Sequence, residues 1–291
     1  MTGDIVIFGG LLLDRYFQID RWPERSQDGF FTDEQCFVGG CAINMAVTAA
    51  NLGARVHVVS ALGDDNTGRN IRYYLKEHNL SDRYLFETKG AAGSCLVFSE
   101  PDGERTFLTR KGVEGDFPED LSEKIIRDGA NAAGVTGYYL LNPDAGRVLE
   151  CLQKLKEQGT KILFDPSPLV GDIDPEYLKK IVHLADVLTP NESEMKALGG
   201  EEEITHLANA GKTIVYKKGA SGGNVYTPTV SFEYQAKICK AVDTTGAGDS
   251  FAGALVYALA ENLQIAQSIH LAAECAARTV GVFGPHGFWR L

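Results

Sequence analysis

The chain has 291 residues, 44% hydrophobic and 23% charged, the ordinary balance of a globular protein able to bury a sizeable core. A formal net charge of −11 argues against nucleic acid or an anionic membrane as the main partner, so an anionic ligand would need donors placed locally. Six cysteines show no Cys-x-x-Cys pair and no histidine at zinc spacing, and no stretch reaches the length of a membrane span.

In chain order, the start "MTGDIVIFGG" lacks a basic leader region, which makes a cytoplasmic location the expectation. Its run 5–8 reads as a buried strand. Residues 11–38 then break into short mixed segments with aromatic pairs. In "CAINMAVTAANLG", Ile43, Ala46, Val47 and Ala50 make one helical face and Gly53 offers a stop. A strand at 56–60 follows. Residues 91–111 read as a hairpin turning at Pro101-Asp102-Gly103. Further strands are expected at 138–141, 161–164, 186–189 and 213–217, with amphipathic helices between them. The alternation predicts an α/β fold: a doubly wound, mostly parallel sheet with helices on both faces, in one domain over 1–291. The exceptions, about 11–38 and 91–111, predict a small β layer suited to a lid or to a contact between two copies.

The stretch "DTTGAGDSF" (243–251) holds a conflict. Gly246, Ala247 and Gly248 carry almost no side chain and precede an apolar helix, so their amides sit where an anion is favoured. Asp249, itself an anion, is in the same place. Phosphoryl transfer to a hydroxyl resolves this, because the phosphoryl oxygens need donors and the acceptor hydroxyl needs a base beside them. A helix capped by Thr244 or Thr245, with Asp249 merely favourable in the first turn, explains the same residues without chemistry. A Gly-Asp-Ser esterase loses support because the later histidines lack an Asp three residues before them. "FVGGCAINM" brings Gly39 and Gly40 before a helix with Asn44 one turn in, which can receive a polar ligand or simply make a turn. No G-x-G-x-x-G follows the first strand, against a nicotinamide dehydrogenase.

These two segments closely resemble the signatures of the ribokinase-like sugar kinases, the pfkB carbohydrate kinase family. The early signature is met by Gly39, Gly40, Ala42, Asn44, Ala46, Gly53 and Gly63, and the late one by 243–256. The resemblance implies ATP-dependent, Mg²⁺-assisted phosphorylation of a primary hydroxyl on a small sugar or sugar-like molecule. A nucleoside kinase of the same fold and a non-catalytic sugar-binding regulator are the alternatives. It implies Asp249 as base and Gly246, Ala247 and Gly248 as anion hole. Asp14, Gly39, Gly40, Asn44, Asn142 and the lid residue Arg105 would serve the sugar. Asn191, Lys218, Gly219, Gly222 and Gly248 would serve the nucleotide. "TPNESEM" offers Asn191 and Glu194 for Mg²⁺ through water, although Asn followed three residues on by Glu is also a helix-starting box. The carbonyls of Asp243 and Thr245 would be ligands of a possible monovalent cation, K⁺. Ser167 and Leu169 depart from fructokinase-like members and Ala273 from ribokinases. A homodimer through the β layer is a further expectation, on the apolar surface of Phe30, Phe31, Leu96, Phe98 and Phe107.

Overall fold

Buried apolar runs decide the architecture. A computed structural model of the protein describes residues 4–77, 80–100 and 105–285. The chain opens with β1 (Asp4–Phe8), β2 (Leu12–Ile19), β3 (Phe31–Gly39), α1 (Cys41–Asn51), β4 (Arg55–Gly63), α2 (Asn66–Glu77) and β5 (Leu85–Thr88). It continues through β6 (Gly93–Ser99), β7 (Arg105–Arg110), α3 (Glu119–Asp128), β8 (Ala132–Thr136), α4 (Ala145–Glu157) and β9 (Lys161–Asp165). Then come α5 (Pro175–Leu184), β10 (Val187–Leu188), α6 (Glu192–Ala197), α7 (Glu201–Asn209) and β11 (Thr213–Lys217). The last elements are β12 (Gly223–Tyr226), β13 (Ser231–Tyr234), α8 (Ala247–Ala260) and α9 (Ile265–Val280).

Among the described residues one nine-stranded sheet runs β13-β12-β11-β10-β9-β8-β1-β4-β5. It is parallel from β5 to β11 and ends in the antiparallel pairs β11–β12 and β12–β13. Alternation along β1 shows why helices cover both faces. Ile5 and Ile7 join the core made with α1, α8 and α9, while Val6 and Phe8 join the core made with α3, α4 and α5. The doubly wound, mostly parallel sheet is the one expected. No helix among the described residues is long and apolar enough to cross a membrane.

A second sheet of four strands, β3-β2-β6-β7, is built from the two exceptional segments. The 91–111 region is a hairpin, with β6 antiparallel to β7; the Pro-Asp-Gly turn expected within it lies outside the described residues. β2 pairs antiparallel with β3 and parallel with β6. Tyr16, Cys95 and Val97 are buried together on one face of this layer, with Leu12 and Phe37 packed against them.

The strand expected at 138–141 is corrected. That segment is a 3₁₀ turn, Gly137–Leu141, and the strand is β8, just before it. β8 reads Ala-Ala-Gly-Val-Thr, so small residues carried little β signal, whereas Tyr139 and Leu140 fill the core from the turn. Gly137 also lies against the Pro166 backbone, where any side chain would collide.

Candidate active site

Parallel α/β sheets gather ligands beyond the carboxyl ends of their strands, near the point where strand order reverses. β1 lies between β4 and β8, and the chain leaves it toward both sides. Asp165 ends β9, Asn191 follows β10 and Lys217 ends β11, so all three stand at that edge.

Two helix N-termini converge there. α1 starts after Gly40, whose φ of 102° and contact with the Gly10 carbonyl exclude a side chain. α8 starts after Gly246, in the left-handed region at φ 74°. Asn44 Nδ2 of α1 donates to Asp249 Oδ2 of α8 at 2.7 Å. Below this bond, Thr48 Oγ1 and Ser250 Oγ are 2.8 Å apart and Ser250 Oγ and Thr279 Oγ1 2.7 Å, all buried. Within the first turn of α8 the Ala247 amide donates to the Thr244 carbonyl at 3.3 Å. No acceptor among the described residues takes the amides of Gly246, Gly248 or Asp249, so these three are donors left for an anion.

Asp14 lies on β2, beyond the first strand, and is buried. Its carboxylate fills the place that a Gly39 side chain would occupy, which explains that glycine. Burial first, and the nearby Asp249 charge second, push its pKa up to about 7. Burial likewise raises Asp249 above the ordinary carboxylate range, against the opposing hydrogen bond from Asn44. The structure therefore brings Asp14, Gly39, Gly40, Asn44 and Asp249 together.

Beside them is a cleft of ≈ 700 Å³, within the range of small-molecule sites, lined by Asn191, Glu194, Gly219, Gly222 and Gly248 among others. Asn191 and Glu194 form the complete helix-starting box: Asn191 Oδ1 accepts from the Glu194 amide, and the Glu194 carboxylate from the Asn191 amide and side chain. Gly222 has φ 79° and abuts the Tyr234 carbonyl.

Three expected residues are engaged elsewhere. Lys218 is exposed, with its ammonium over the Tyr216 ring, and it is Lys217 that reaches the cleft. Asn142 donates to the Tyr139 carbonyl of its own turn at 3.2 Å and packs on Gly115. From the same turn, Tyr138 has its phenol pKa raised, by burial first and then by its proximity to Cys41 and Asp249. Arg105, on β7, pairs with Asp243 (Nη2 to Oδ1, 2.9 Å). Asp243 is spent on structure: Oδ1 also accepts from the Thr245 amide and Oδ2 from the Gly284 amide, at 2.7 and 3.0 Å. Cys41, which opens α1, and Asp165 and Lys217 of the cleft were not singled out as site residues.

The pfkB family carbohydrate kinase profile matches residues 4–289. The chain belongs to the pfkB carbohydrate kinase family. This pfkB-family chain is 28% identical over 296 residues to the ribokinase of Mus musculus, covering 96% of itself and 90% of that protein. It superposes with a TM-score of 0.85 on a putative ribokinase II from E. coli, at 23% identity, covering 98% and 94% of the two chains. A nucleoside kinase from Burkholderia thailandensis, solved with inosine, superposes at 0.81 with 18% identity over 98% and 93%. The pfkB-family assignment makes the chain an ATP-dependent kinase with an alcohol group as acceptor.

The Asp14 environment gives a pH test. Because its carboxyl is protonated more easily when folded than in the unfolded chain, it supports folding in acid, and that support is lost as pH rises through about 7. Asp14→Asn should therefore raise the melting temperature of the ligand-free protein clearly more at pH 8 than at pH 4. Equal shifts at both pH values in a thermal scan would rule out a buried, charged Asp14.

Proposed function

We propose that the protein transfers the γ-phosphoryl group of ATP to a primary hydroxyl of a small sugar or sugar-like molecule. The observation that carries this is the Asp249 carboxylate at the start of α8, beside free amides and bonded to Asn44. Asn44 donates to Oδ2 and the Cys41 thiol also bonds this carboxylate, which keeps lone pairs to accept the hydroxyl proton. As that proton moves to Asp249, the acceptor oxygen bonds phosphorus and the electron pair of the broken P–O bond leaves on ADP. The Gly248 and Asp249 amides hold the phosphoryl oxygens. Asp14 and the Gly39–Gly40 backbone orient the sugar.

Ala273, Ala277 and Val280 give the cleft an apolar side suited to an adenine ring. Glu194 fits a hydrated Mg²⁺: each of its oxygens accepts one bond from Asn191 and keeps a lone pair for water. Bound there through water, with Asn191 beside it, the ion would offset charge on the phosphates.

Arg105 takes the Asp243 carboxylate, and the Arg105 Nε is buried without an acceptor among the described residues. The carbonyls of Asp243 and Thr245 accept no hydrogen bond among the described residues, and we infer that they are free to hold a monovalent cation.

The four-stranded sheet carries Asp14 over the site and acts as a lid. Its surface away from Asp14 exposes Leu108, and Phe31, next to the exposed Phe30, packs on Phe17 of that face; these exposed apolar side chains support pairing with a second copy.

Asp249→Asn should lower kcat by about a hundredfold or more while ADP binding survives, measured across pentoses, hexoses, acidic sugars and nucleosides. Near-normal turnover in the folded variant would remove Asp249 as base, and a nucleoside as the sole acceptor would replace the sugar. Sedimentation velocity at micromolar concentration should show a dimer; a clean monomer would refute it.

A further inference from the structure

The cleft that would receive ATP is lined by carboxylates. Asp165, Glu194 and Asp249 all face it, in a chain whose net charge is −11. Any polyphosphate entering such a space meets like charge unless a cation stands among them. Of the two lysines lining the cleft, Lys237 is half exposed and lies 3.8 Å from Glu274, and Lys217 is the one set among these carboxylates. It ends β11, and its side chain is 15% exposed against 7% for Asp165. Its Nζ donates to Asp165 Oδ1 at 2.8 Å, and Thr189 Oγ1 donates to the same oxygen at 2.6 Å. Burial acts against the ammonium, but Asp165, Glu194 and Asp249 outweigh it and hold its pKa above the ordinary lysine value.

Position adds to charge. A Cβ placed on Gly248 would stand 3.7 Å from Lys217 Nζ, so the ammonium lies directly over the first turn of α8. An ammonium has three donors, and Asp165 takes one of them. The face toward Gly248 is the face where an anion on the free α8 amides would sit.

Resting on the kinase reading, we propose that Lys217 is a catalytic residue of the transfer: its ammonium contacts the phosphoryl group held between the α8 amides and Asp249. Asp165, fixed by Thr189, is the positioning residue that aims it. ADP lacks the transferred group and does not engage this contact. Charge that builds on the phosphoryl oxygens during transfer meets a cation already desolvated and fixed.

A purely structural ion pair joining β9 to β11 is the competing explanation, and nucleotide binding separates the two. Calorimetry on wild type and Lys217→Met should show ADP affinity unchanged within about threefold, with affinity for a non-hydrolysable ATP analogue reduced about tenfold or more. The kcat of Lys217→Met should fall about a hundredfold or more. Equal losses for ADP and the analogue, or a kcat within threefold of wild type, would overturn the proposal. Wild type needs no substitution in a second measurement, the ¹H–¹⁵N ammonium resonance of Lys217. It should move on addition of the analogue and stay in place with ADP, and a resonance unmoved by the analogue overturns the assignment even if Lys217→Met does not fold. Wild type that binds neither nucleotide would instead refute the kinase reading itself.

Discussion

Asn44 can reach Asp249 because α1 and α8 meet backbone to backbone. At Gly253 any side chain would collide with the Met45 carbonyl, at 2.5 Å from a Cβ, so the helices close to a distance that only glycine permits. The hydroxyl chain Thr48–Ser250–Thr279 then satisfies the polar groups trapped in that contact and ties α9 to the pair. Both helix N-termini thereby point at one small volume. The free amides, the base and its partner are three expressions of a single packing event, so a change at that crossing propagates to the chemistry.

Electrostatics imposes the second constraint. Burial makes Asp14, Asp249 and Glu194 all harder to ionise, which is costly in an acidic protein with like charges this close. The structure offsets this with two deeply set cations of different purpose. Lys217 faces the open cleft, whereas Arg105 is turned to Asp243, beneath the loop that leads into α8. Asp243 thus links β7, that loop and the segment at Gly284 through one carboxylate. The positive charge on β7 makes the seating of the four-stranded sheet and the shape of the anion-binding turn parts of the same arrangement.

The sheet and the Asp249 turn were legible in the sequence because each rests on local features: continuous apolar runs, and glycines followed by an acid and an apolar helix. β8 escaped because its residues are small, and its neighbour "YYLL" looked more like a strand than the strand did. Lys218 stands outside the cleft, and Lys217 within it, for a reason of parity. Val215 packs with the α8 core and Tyr216 with the opposite one, so Lys217, two residues after Val215, points toward α8 and Lys218 points away. That alternation was present in "TIVYKK", but only the sheet's faces give it a direction. Arg105 and Asn142 turn on contacts with Asp243 and Gly115, far away in the chain, which no local pattern encodes.

The parallel pairing of β2 with β6 has a consequence for the cost of assembly. Leu12 faces Gly93, so this sheet is joined across a loop that includes α1, β4, α2 and β5. Closing a loop of that length costs entropy, and the cost falls where the intervening chain is already folded. β4, within that loop, pairs with β1 and holds the connection between β2 and β6 short in space. Asp14, on β2, thus owes its low-dielectric position to segments far from it in the chain.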